Sequence, residues 1–105
     1  MAYNGYENYE TWAVALHISN DEKLYNRWRA LAGSMQAAAA ATETFTQRDV
    51  VILDLADRLR DVMQGEASEL VMLGPYAGAM GDLLMAALSE VDWHEVAESL
   101  LDEEE

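Results

Sequence analysis

The sequence predicts an all-α protein, a compact bundle of about five helices forming a single domain. Three observations carry that prediction. Hydrophobic residues make up 51% of 105 residues, enough apolar material for one packed core and too much for a disordered acidic tail. One Pro and six Gly leave little of the chain that must be loop. Apolar residues recur at helical spacings of three and four along five stretches, and no strand is clearly readable.

The first helix is expected from about Tyr9 to Ile18, with Asn8 as N-cap and Trp12, Ala15 and Leu16 as its apolar stripe. The second is expected to open on a capping box, Ser19 with Glu22 three residues on. Leu24, Trp28, Leu31 and Met35 then share one face, and Ala37 to Ala41 either extends the helix or frays. Thr46 and Asp49 predict the start of the third helix. Its apolar face is read as Val50, Ile52, Leu53, Leu55, Ala56, Leu59, Val62 and Met63, and Gly65 as its stop. On its polar side Asp54 and Arg58 make an attractive pair, and Asp57 and Asp61 a repulsive one. Gly74-Pro75 punctuates the chain, with Pro75 suited to a first helical position.

The fourth helix is read as Tyr76 to Leu88. Met80, Leu83, Leu84, Ala87 and Leu88 are its core set, and Gly78 and Gly81 allow close packing. The fifth begins at Asp92 as N-cap, with Glu95 three residues later. Trp93, Val96, Ala97, Leu100 and Leu101 face inward, and Glu95, Glu98, Asp102 and Glu105 face outward. Residues 92–105 form an acidic C-terminal helix and tail.

Charge bounds the function. Twenty acids against six bases give a net charge of −14. All six bases, Lys23, Arg27, Arg29, Arg48, Arg58 and Arg60, sit in the middle of the chain, and residues 61–105 carry acids alone. Binding to nucleic acid or to an anionic membrane needs Lys and Arg to meet phosphates, so direct contact with either is not expected. A basic protein partner is favoured. The absence of Cys removes disulfides, thiolate catalysis and Cys-based zinc sites. Neither a secretion signal nor a membrane-spanning stretch is readable, so the cytoplasm is the expected compartment.

Catalytic signals are lacking. His94-Glu95-Val96-Ala97-Glu98 has the start of a helical zinc motif but not its second His. His17 lies among apolar residues, as a partly buried structural His would. No Gly-rich phosphate loop and no nucleophile elbow are present. The expectation is a protein that is not an enzyme and holds neither cofactor nor metal.

Two features suit binding. Tyr3, Tyr6, Tyr9 and Trp12 recur every three residues, either as an exposed aromatic stripe or as a segment packed onto the core by its rings. The second feature is acidic. Carboxylates three or four apart on a helix lie about 4.5–6 Å apart along the axis, on the scale of the phosphates along one DNA strand, where duplex charge is about one per 1.7 Å of axis. The candidate partner-binding residues are therefore Asp82, Glu90, Asp92, Glu95, Glu98, Asp102, Glu103 and Glu104, with Glu105 behind them.

Asn8-Tyr9-Glu10-Thr11-Trp12-Ala13-Val14-Ala15-Leu16, followed by Asn20-Asp21, resembles the start of a family of small proteins found in bacteriophages, plasmids and related bacterial loci. Leu88-Ser89-Glu90-Val91-Asp92-Trp93-His94-Glu95-Val96-Ala97-Glu98 resembles the same family's ending. The two stretches cover about a third of the chain, and they imply a mobile-element origin without an activity. In composition, Trp93 to Glu105 is also similar to the end of the helical anti-restriction protein of a lytic phage. That likeness implies a DNA mimic working in a host bacterial cytoplasm. It would occupy the basic DNA channel of a host enzyme such as a restriction system, a CRISPR effector, gyrase or polymerase. Residues 23–60, where Arg and acids mix, depart from this pattern and suit a dimer face or a surface turned away from the target. The alternative is a small interaction module that binds through aromatic or apolar surface, with Tyr3, Tyr6 and Tyr9 as anchors and acidity serving solubility. A homodimer is compatible with either.

Overall fold

The last of the described helices organises the fold. In the computed structural model, which describes residues 3–70 and 75–101, five helices run in order: α1 (Tyr9–Asn20), α2 (Glu22–Ala38), α3 (Gln47–Leu70), α4 (Ala77–Ser89) and α5 (Trp93–Leu101). In α5, Trp93, Val96, Ala97, Leu100 and Leu101 are all buried, the inward face expected from their spacing. That face takes five of the nine residues of the helix, and α5 packs against α1, α2 and α3 together. A helix this short is not stable alone, so its contacts with three neighbours are what hold it helical.

The facing core comes mainly from α3. Val51, Ile52, Leu55, Ala56 and Leu59 are buried, with Leu55 and Leu59 fully enclosed. Each fully buried Leu of this kind contributes about 1.5–3 kcal/mol of transfer free energy. The buried face keeps the expected Ile52, Leu55, Ala56 and Leu59 but is narrower than expected: Val51 is in the core, whereas Leu53 and Val62 are exposed. Trp28 and Ala32 of α2 and Thr11, Ala15 and Ile18 of α1 complete the core.

Helix starts follow the capping chemistry with one correction. Asn8 caps α1 through its side chain on the Thr11 N–H. Thr46 and Asp49 form a reciprocal box at α3, with Asp49 N–H to Thr46 Oγ1 at 3.0 Å and Thr46 N–H to Asp49 Oδ2 at 3.2 Å. The expected Ser19–Glu22 box does not form. Asp21 caps α2 by accepting the Leu24 N–H, and Ser19 instead donates back to the Leu16 carbonyl inside α1. A charged carboxylate is the better partner for the positive end of α2 than a hydroxyl two residues earlier.

Three further expectations change. Gly65 does not stop α3, which continues to Leu70 because Ala67 returns to the core. Pro75 lies in the turn before α4, whose N-cap is Tyr76. Gly78 makes no close approach, since a Cβ placed there would meet nothing within 4 Å. α2 ends at Ala38, so the Ala run extends it by two residues and then leaves the helix. Gln47 closes the connection that follows by donating to the carbonyls of Gln36 and Ala39.

The ion pair expected on α3 is present, Arg58 to Asp54 at 3.8 Å. Arg60 lies beside both Asp57 and Asp61, at 3.3 and 3.7 Å, and offsets their repulsion. These exposed pairs are worth little each. Among the described residues no helix is long and apolar enough to cross a membrane.

Candidate functional site

The two stretches at the ends of the chain meet in space. Asn8 donates from Nδ2 to the Glu90 carbonyl at 2.6 Å. The Thr11 hydroxyl accepts the Asp92 N–H at 2.8 Å and donates to Asn8 Oδ1 at 2.6 Å. The Glu7 N–H donates to Glu95 Oε1 at 2.9 Å. The start of α1 is thereby pinned to the α4–α5 corner through both backbone and side chains. Thr11 is fully buried and the one polar residue in the core among the described residues. Its role was not legible in the sequence, where Thr in a helix carries no distinctive signal.

Ahead of the junction, Asn4 and Gly5 turn the chain with positive φ at both positions (50° and 92°), and Tyr3 and Tyr6 bond each other across the turn. An Asn-Gly pair between aromatic residues is the sequence signal for this turn, which the periodicity of the tyrosines alone does not reveal. The turn brings the Tyr3 ring onto α1, 5.3 Å from Tyr9 edge-on and 4.9 Å from Trp12. Tyr3 and Tyr9 remain substantially exposed at the edge of this cluster, and Tyr6 is half-buried. The segment is thus ring-packed onto α1, with part of two rings left to solvent.

The candidate acidic residues fall into three groups. Asp92 and Glu95 take part in the fold: Asp92 caps α5 by accepting the Glu95 N–H at 3.2 Å, and Glu95 accepts from Glu7 and is half-buried. The Glu95 side chain leaves the capping box because the N-terminal segment offers it a donor. Glu90 and Glu98 are exposed, and so is Asp82, but Asp82 lies about 160° around α4 from Leu84 by helical spacing. Asp102, Glu103 and Glu104, with Glu105, lie outside the described residues. On α5 the described acidic row is therefore Glu98 with a half-buried Glu95.

Glu7, Asp92 and Glu95 form a close carboxylate cluster, with one oxygen from each all within 4.8 Å of one another. The Glu7 carboxyl is held above its ordinary pKa, first by a side-chain hydrogen bond to Asp92, then by the negative charge of Asp92 and Glu95. Three oxygens at this spacing could face a hard cation. Two of the three carboxylates already accept backbone N–H groups.

Among the described residues an apolar groove of about 440 Å³ lies between α1 and α4. Tyr9, Ala13 and Val14 form one wall, Leu84, Ala87 and Leu88 the other, and Met63 of α3 contributes to the lining. Glu10 and His17 are its ionisable groups, and His17 is exposed at the rim, not partly buried as expected. Beside the groove, α4 carries Tyr76, Met80 and Leu83 at 75%, 57% and 68% exposure. Met80 and Leu83 were expected in the core. They are out of it because α4 packs chiefly on α3 alone, and one neighbour covers only one side of a helix. A shallower depression joins Phe45, Asp49, Leu53, His94 and Glu98.

Comparison with known proteins finds no match among curated proteins and none among solved structures. A family of unknown function, DUF7249, matches residues 1–105, from the Asn-Gly turn through the α1–α5 junction to the acidic end. The chain belongs to that family.

Proposed function

We propose that the protein acts by binding another protein, not by catalysis, and that the groove between α1 and α4 is its binding face. One observation carries this reading. Tyr76, Met80, Leu83 and Ala87 follow at spacings of four, three and four on one side of α4, and that side borders an open apolar groove. Scattered exposed apolar residues are ordinary, whereas a helical stripe running into a groove marks an interaction surface. Tyr9 belongs to the groove wall, so the aromatic segment contributes one anchor to the same face.

The acidic-stripe reading, in which carboxylates stand in for phosphates in the DNA channel of a host enzyme, draws support from the net charge of −14 and the exposure of Asp82, Glu90 and Glu98. It is the weaker of the two. Asp92 and Glu95 are engaged in the α1–α5 junction, which leaves Glu98 as the one fully exposed acid described on α5.

The test is affinity capture from a bacterial lysate by the parent, by a Met80→Glu/Leu83→Glu variant, and by a Glu90→Gln/Glu98→Gln variant, each at low and high salt. Loss of the captured protein in the first variant, with capture by the second intact and salt-tolerant, supports the groove. Undiminished capture by a folded Met80→Glu/Leu83→Glu protein overturns it. Loss in the second variant alone, with steep salt dependence, favours mimicry.

A further inference from the structure

We infer that the occupant of the α1–α4 groove is a cationic amphipathic helix of about three turns, supplied by another protein; the inference rests on the reading of the groove as the binding face. Shape sets the first part. Both walls are helices whose interior N–H and C=O groups are already paired, so the groove offers no free sheet edge. An extended peptide seated there would bury amides without partners, which is unfavourable for each one orphaned. A helix brings its backbone already bonded and presents only side chains, as helix-in-groove recognition requires. From Tyr76 to Ala87 the apolar stripe of α4 is about 16 Å long at 1.5 Å per residue, which matches three helical turns.

Charge sets the second part. None of the six Lys and Arg lines the groove. Glu10 is part of its wall, and Glu90, three residues beyond Ala87, continues the α4 stripe at its end. A helix with apolar residues on one face and Lys or Arg on its flanks satisfies both the floor and the rim. A second copy of this chain fits poorly, because it would bring one body of net charge −14 against another.

The experiment uses the full chain and three synthetic helical peptides of equal length. One carries Leu at spacings of four, three and four with Lys on its flanks. The second replaces each Lys with Glu. The third has the composition of the first, scrambled to destroy the apolar face. Binding is read by fluorescence anisotropy and mapped by methyl chemical shifts. The expected result is saturable binding of the first peptide, with shifts at Ala13, Val14, Leu84 and Leu88. Affinity should be at least about tenfold lower for the Glu peptide, because every flank charge changes sign beside Glu10 and Glu90, and the scrambled peptide should give no groove shifts. Equal affinity for the Lys and Glu peptides overturns the inference. So do shifts spread over other surfaces, absence of binding by all three, or a concentration-dependent dimer whose shifts fall in the groove. If the Met80→Glu/Leu83→Glu variant loses its captured protein while the Lys peptide fails to bind, the groove stands as the binding face and only the occupant's chemistry is wrong.

Discussion

Thr11 and Asp92 are joined by a partly buried hydrogen bond across 81 residues of chain: the Asp92 N–H donates to Thr11 Oγ1 at 2.8 Å, and Thr11 is 0% exposed. The same hydroxyl donates to Asn8. One side chain therefore ties the N-cap of α1 to the residue that caps α5.

Thr11→Val keeps the shape and removes the hydroxyl. It leaves the Asp92 N–H without a partner and deprives Asn8 of a donor. The expected loss is about 1–3 kcal/mol, which urea unfolding of parent and variant will measure. A change below about 0.5 kcal/mol would show that the junction does not depend on this bond.

Glu7 makes the fold sensitive to pH. Its folded pKa lies above the ordinary 4.5 because Asp92 bonds the protonated form and Asp92 and Glu95 repel the charged one. Between 4.5 and the raised value the folded protein holds more protons than the unfolded chain. The contribution is thus fully present below 4.5 and is lost as pH rises through the folded pKa. Glu7→Gln retains a donor and carries no charge, so its stability relative to the parent should rise as pH increases through that window. Parallel stability curves for the two proteins would refute the assignment.

Gly65 lies inside α3, and a Cβ there would meet nothing within 4 Å. Glycine in a helix interior costs roughly 0.5–1 kcal/mol relative to alanine. Gly65→Ala should stabilise the protein by that amount, raising Tm by a few degrees. Unchanged or lower Tm would mean that α3 does not run continuously through this position.

Leu83 is 68% exposed and belongs to the proposed binding face. Leu83→Glu should leave stability within about 0.5 kcal/mol of the parent, as substitutions away from the core usually do, while Leu59→Ala in the core should cost about 2–5 kcal/mol. Thermal melts of both distinguish a surface α4 stripe from a packed one.

Local pattern was enough to place α5. Trp93, Val96, Ala97, Leu100 and Leu101 repeat at helical spacing after a capping Asp, and all five are buried. The caps at Asn8, Thr46 and Asp92 were legible for the same reason, since each acts within three residues of itself. By itself, then, the sequence determined the fold class, five helices and a strong negative charge, because periodicity and capping are short-range.

Which faces stay uncovered was decided by the tertiary structure. Met80 and Leu83 have the spacing of core residues, yet α4 has one principal neighbour and leaves them to solvent. Glu95 has the spacing of an outward acid, yet the Glu7 N–H arrives from 88 residues away and engages it. Contacts of that separation depend on how the whole bundle closes, and no local spacing encodes which helix lies alongside another.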